Sequence, residues 1–156
     1  MNKVKMLNYY ILTKGDSCLQ DGRLVSARIA TEKLIQSGFW PLYERTAHRR
    51  NIQVGDKILF YVSGKRKGAQ VILGSAIVSG KKDWQKKHTE KCPIFSDNIP
   101  YTSIEFEDVI YFPTPISVRD KVKKLSFIKQ RPEKWGLSFM GGVTKIDSNS
   151  FDILSS

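Results

Sequence analysis

The chain has 156 residues, enough for one domain that buries a core of its own and needs neither disulfides nor metal to fold. Hydrophobic residues make up 40% and charged residues 26%, a globular balance that excludes disordered and collagenous classes. Lys and Arg number 26 against 15 Asp and Glu, giving +11 and a pI near 9.7, a field that attracts polyanions, among which nucleic acid is the commonest partner of a compact basic domain.

The amino terminus pairs a basic start with a short apolar patch, which runs into Thr13-Lys14-Gly15-Asp16 with no small-residue cleavage site. No signal peptide is expected there, and no apolar run approaches the ~18 residues of a membrane span. Leu7 to Thr13 is an aromatic and β-branched run ended by that polar turn and reads as a buried first strand. Cys18 and Cys92, far apart in sequence, read as free thiols of a reducing cytoplasm rather than a disulfide or a metal site.

From Ser26 to Ser37 the period is helical. Ser26 is placed to cap it, Ile29, Leu34 and Ile35 share a face, and Gly38 stands where a terminating glycine belongs. Phe39-Trp40-Pro41-Leu42 is expected to break the helix as a loop, with the basic segment Tyr43 to Asn51 behind it. Val54-Gly55-Asp56-Lys57 is a turn into the strong strand Ile58 to Val62, and Gly64 to Gly68 is a hairpin loop. Gln70 to Val78 is the returning strand, in which Gly74 predicts a bulge or a close backbone approach. Ile104 to Phe112 alternates as a half-exposed strand does, and Pro113 and Pro115 are expected to end it. Val118 to Leu125 suits a short helix, Trp135 to Ile146 a turn into a last strand, and Asp147 or Ser148 a cap for a final helical turn through Leu154. There is no repeat, low-complexity tract or linker, so residues 1–156 read as one domain of α+β class, a small barrel or strongly curved sheet with helices at its edge.

Catalytic signatures are scarce. The chain lacks a phosphate-binding loop, a dinucleotide fingerprint and a nucleophile elbow. His48 and His88 stand in basic stretches without partners at ligand spacing, so they read as surface residues and not as metal ligands or bases. Glu105 and Glu107 share a strand face, which reads as solvated.

Aromatic residues stand where strands meet loops. Trp40 precedes the Gly-Asp turn, Tyr61 and Ser63 end the strand after it, and Trp135 and Phe139 precede Gly141-Gly142. Planar rings of this kind stack an unpaired or flipped base, and nearby cations neutralise its phosphates. The same rings also suit a small core, and both readings stand for Tyr61 and Phe139.

The order of these segments resembles the EVE domain, a member of the PUA-like superfamily. The aromatic first strand, the tryptophan segment before Val-Gly-Asp and then Ile-Leu-Phe-Tyr-Val-Ser are similar to its opening half. Lys124-Leu125-Ser126-Phe127-Ile128-Lys129, then Lys134-Trp135, Phe139-Met140-Gly141 and Ile146, resemble the small archaeal and bacterial proteins built from a lone EVE domain. The likeness runs from Tyr9 to Leu154. It implies a mixed pseudo-barrel of about five to six strands with short flanking helices, and a pocket for a modified nucleobase in DNA or RNA. It also implies no catalysis by the domain itself; no cofactor and no structural metal are expected.

Carried over residue by residue, Thr13 and Lys14 match the polar turn and Trp40, Pro41 and Leu42 the tryptophan loop. Tyr61 and Ser63 match the end of the next strand, and Trp135 and Phe139 the late aromatic motif. Arg45, His48, Arg49, Arg50, Lys65, Arg66 and Lys67 are expected on the nucleic-acid backbone. Two departures bear on the pocket rim. The family's Lys-Ser-Glu-Pro turn is here Thr13-Lys14-Gly15-Asp16, and its Trp-Asp-Gly-Val is Trp40-Pro41-Leu42-Tyr43. The identity of the base therefore does not carry over. The related ASCH domains, some of them ribonucleases or nucleoside hydrolases, offer the alternative. Their lysine, glutamate and arginine motif is echoed in Tyr43-Glu44-Arg45, with its lysine missing.

Overall fold

The computed structural model describes residues 7–95, 99–129 and 131–156. The basic first six residues, on which the leader reading partly rests, lie outside them. A six-stranded mixed sheet curls into a half-barrel. Its order is β4 (Phe39–Leu42), β8 (Thr102–Ser117), β6 (Val71–Asp83), β5 (Lys57–Val62), β1 (Tyr9–Lys14) and β9 (Val143–Ile146). Only β1 and β5 run parallel. A second sheet of three short strands joins β3 (Leu24–Val25), β2 (Ser17–Leu19) and β7 (Ile94–Phe95).

Both faces of the large sheet are covered, which is why β1 and β5 are continuous apolar runs and not alternating ones. Successive side chains point to opposite faces. Tyr10, Leu12, Ile58, Phe60 and Val62 join one core with Ala30 and Leu34 of α1 (Ala27–Ser37). Ile11, Leu59, Tyr61 and Ile72 join a second core with Val122, Trp135 and Phe139 of two 3-10 helices (Arg119–Lys124 and Pro132–Phe139) and Phe151 and Leu154 of α3 (Ser148–Leu154).

α1 forms where its caps put it. Ser26 Oγ accepts from the Ile29 N–H at 3.3 Å and Asp16 Oδ1 from the Ala27 N–H at 2.9 Å, which satisfies two donors of the first turn. At the other end Gly38 takes φ 81° and donates to the Ile35 carbonyl, a conformation glycine adopts without a Cβ clash. Ala27, Ala30, Thr31, Leu34 and Ile35 make the buried face; Ile29, expected on it, is exposed. Asp147 caps α3 as expected, accepting from the Ser150 N–H at 2.6 Å.

Three expectations are corrected. Phe39–Leu42 is a strand and not a loop, because Thr102–Glu105 of β8 offers it a ladder, with Trp40 opposite Ile104. Pro41 is tolerated there because β4 is an edge strand. Pro113 and Pro115 do not end β8, which pairs with β6 as far as Ser117 opposite Val71. The β6 register jumps from Gly74 opposite Tyr111 to Ile72 opposite Ile116, and β4 pairs only with Thr102–Glu105. Pro113 and Pro115 therefore fall in the irregular stretch, where a missing N–H costs no ladder bond. His88, expected on the surface, is buried in α2 (Lys86–Lys91). Its Nδ1 accepts from the Gln85 N–H at 2.9 Å and its ring packs against Trp84 and Phe39 at 5.3 and 5.7 Å. Burial, followed by the Lys87 charge, pushes its pKa down.

Gly74 shows both of its expected features. The β5–β6 and β6–β8 registers shift beside it, and a Cβ there would collide with the Ile110 carbonyl oxygen. Register breaks of this kind bend a strand and increase its twist, in keeping with the curl of the sheet.

Candidate functional site

Parallel β1 and β5 end side by side, with Thr13 opposite Tyr61. Past their ends the 63–70 loop, the Gly141-Gly142 turn and the second 3-10 helix border an open cavity of about 1010 Å³. Its wall is aromatic. Tyr61 and Phe139 stack with centroids 4.4 Å apart and planes 26° from parallel, and Trp135 meets Phe139 edge-on at 5.7 Å. Phe127 meets the same ring edge-on from another side, also at 5.7 Å. Tyr61, Phe139 and Trp135 are buried, as the core reading of the first two expects, and all three also border the cavity. Burial pushes the Tyr61 phenol far up, which keeps it a neutral hydrogen-bond donor and denies it work as a base.

The polar groups are few and mostly fixed. Thr13 N–H donates to the Gly142 carbonyl at 2.9 Å, while Thr13 Oγ1 is buried with no partner among the described residues. Ser63 Oγ donates to the Lys14 carbonyl at 3.0 Å, which joins the two strand ends. Gln70 holds a left-handed φ of 63°, with its N–H on the Val62 carbonyl at 2.6 Å and its carbonyl taking the Val118 N–H at 3.0 Å. Such a conformation is costly for a non-glycine residue and is kept where the surroundings over-determine it. Lys65, Arg66, Lys67 and Arg119 form a cationic rim, Arg66 bonded to Asp16 at 3.1 Å. Glu133, exposed, is the one carboxylate among the described lining residues.

Of the residues singled out from sequence, Thr13, Tyr61, Ser63, Lys65, Arg66, Lys67, Trp135 and Phe139 come together here. Trp40, Pro41 and Leu42 do not. They are buried in β4, with the Trp40 ring 5.7 Å from Phe60 in the other core. Lys14, next to Thr13, points away from the cavity, because neighbouring strand residues face opposite sides. Burial pushes its pKa down, partly offset by Cys92 nearby.

Arg45, His48, Arg49 and Arg50 occupy the next turn. Its Ala47 N–H donates to the Gly141 carbonyl at 3.0 Å and Thr46 lies against Gly142, so the turn docks on the back of the cavity wall. Sequence reasoning passed over Gln70, Ser117, Arg119 and Glu133. Nothing in their neighbours marks them, and a left-handed glutamine carries no composition signal. Glu133 thus adds to the lining a carboxylate that the sequence did not single out.

The profile of the EVE domain matches residues 29–156. The chain belongs to the EVE domain family. No curated protein sequence matches it. Among solved structures, this EVE domain is similar to human THYN1 in complex with 5-methylcytosine containing DNA. That pair shares 14% identity at a TM-score of 0.59, over 94% of each chain. The N-terminal domain of Staphylothermus marinus McrB shares 10% identity at 0.57, over 99% of this chain and 97% of that one. ASCH from Zymomonas mobilis shares 12% at 0.53, over 92% and 91%. At such identities the shared property is the fold, and that fold is PUA-like. Among the described residues no helix is long and apolar enough to cross a membrane, and no group of three or more His, Cys, Asp or Glu is placed to hold a metal. Glu44 and Arg45, the echo of the ASCH motif, lie on an exposed turn and do not line the cavity of this EVE domain.

Proposed function

We propose that this EVE domain binds nucleic acid and takes one modified nucleobase into the cavity at the ends of β1 and β5, leaving it chemically unchanged. The observation that carries the proposal is the unpartnered Thr13 hydroxyl beside a packed aromatic wall and under a cationic rim. The human THYN1 complex, built on the same fold with 5-methylcytosine containing DNA, supports the ligand class.

The energetics are consistent with extrusion of a base. Unstacking costs a few kcal/mol. Contact with an aromatic wall returns roughly 1–3 kcal/mol, and cations at the rim neutralise the flanking phosphates. An added methyl group fills apolar volume worth about 1–3 kcal/mol, enough to separate a modified base from its parent. Lys65, Lys67 and Arg119 supply rim charge, and Thr13 and Gln70 the hydrogen bonds that orient the base.

Thr13→Val tests the role of the hydroxyl by a difference in sign. The substitution keeps the shape and removes a buried polar atom that has no partner. The variant should therefore melt no lower, with a gain of up to about 1 kcal/mol, while its affinity for a modified nucleotide falls several-fold, a hydrogen bond being worth about 0.5–1.5 kcal/mol. Binding unchanged in calorimetry would remove Thr13 from the site.

One observation favours a second reading. Glu133 in the lining supplies the carboxylate that a hydrolase would need, on a fold shared with the Zymomonas ASCH protein. Incubation with labelled RNA and with modified nucleosides separates the two. Turnover that is lost in Glu133→Gln would establish the hydrolase, and recovery of every substrate intact supports the reader.

A further inference from the structure

We infer that the exposed ring of Tyr101, braced by Arg49, is a second stacking platform, which holds another unpaired base of the nucleic acid whose modified base enters the cavity. The inference rests on the nucleic-acid reading above. It adds to that reading a residue outside the cavity and a requirement on the polymer.

The backbone of Tyr101 is fixed on both sides. Its N–H donates to the Leu42 carbonyl at 2.8 Å, and its carbonyl accepts from the Trp84 N–H at 3.2 Å. The side chain is nevertheless 57% exposed. The Arg49 guanidinium lies over the ring, 4.5 Å from its centroid, and is held by its own Nε donating to the Glu44 carbonyl at 2.6 Å. A ring fixed at its backbone and covered on one face by a held cation keeps its orientation without a partner.

The surroundings match what a single strand needs. Thr46, His48, Arg49, Arg50 and Asn51 line a cleft of about 270 Å³ with no carboxylate in it, a place for a phosphate beside the stacked base. Lys81 adds a cation close by, with its Nζ on the Ile52 carbonyl at 3.0 Å. Burial first, and then the Arg49 charge, push its pKa down. Ala47 of this turn bonds to Gly141 of the cavity wall, so the turn that carries Arg49 is anchored to the wall from behind. A duplex keeps its bases stacked on one another and offers this ring nothing. The polymer implied is therefore single-stranded, or unpaired at a second position besides the modified base.

The test compares Tyr101→Ala and Tyr101→Phe on two probes, a short single-stranded oligonucleotide carrying one 5-methylcytosine and the free nucleoside 5-methylcytidine. Tyr101→Ala should weaken the oligonucleotide roughly 5- to 100-fold, Tyr101→Phe should hold it within about twofold, and neither should change affinity for the nucleoside. The ring is exposed, so melting temperatures should stay close to that of the parent, which keeps the comparison one of binding. Unchanged oligonucleotide affinity in Tyr101→Ala overturns the inference, and so does an equal loss on the free nucleoside, which would place the ring in the cavity. Failure of the cavity reading looks different. The nucleoside would then not bind the parent protein, while the oligonucleotide still bound and still lost affinity in Tyr101→Ala. No binding of the oligonucleotide at all would overturn both.

Discussion

Trp40→Ala is expected to destabilise the protein by about 3–5 kcal/mol while leaving the affinity of the folded molecules for a modified nucleotide unchanged. The side chain is 3% exposed, its ring is 5.7 Å from Phe60, and it belongs to the core under α1 rather than to the cavity. Its removal opens a void that β4, fixed by four paired positions on β8, cannot close. For a chain of this size the melting temperature should fall by roughly 6–20 °C. An unchanged melt together with lost binding would return Trp40 to the site.

Phe139→Ala should cost stability on the same scale and abolish binding as well. Phe139 is where the two roles coincide, stacked on Tyr61, edge-on to Trp135 and Phe127, and lining the cavity. Truncation removes part of the wall and frees Tyr61 and Trp135 to shift, so the fixed surface for a base is lost twice over. Phe139→Leu separates the two effects. It keeps most of the buried volume, should recover much of the stability, and should leave binding impaired, because an aliphatic side chain supplies packing without a planar face. Binding fully restored by leucine would show that the wall serves only as packing.

The contrast between Trp40 and Phe139 shows what could be read from the sequence. Strong periodic segments were legible. The run Ile58 to Val62, the helix between Ser26 and Gly38, and the close approach at Gly74 follow from local chemistry and stand where expected. The cavity's chain-distant halves, Thr13 with Tyr61 and Trp135 with Phe139, were legible through the order of the family's motifs. Trp40 was misplaced because Trp-Pro reads as a loop locally, and only a partner strand some sixty residues on makes it β4. The second sheet escaped because strands of two or three residues show no period. His88 escaped because its partners are a backbone N–H and two rings, which spacing does not reveal. Tyr101 is visible only once Arg49 is seen above it.

A modified base seated at the ends of β1 and β5 would perturb the amides that surround it. The most direct measurement titrates isotope-labelled protein with 5-methyldeoxycytidine monophosphate, follows backbone amide shifts, and then recovers the ligand. Saturable shifts are expected, largest at Thr13, Gln70, Gly141 and Gly142, with the nucleotide returned intact. Shifts clustered instead at the recess between Gly38 and His88, or a nucleotide returned as cleaved product, would contradict the proposed function.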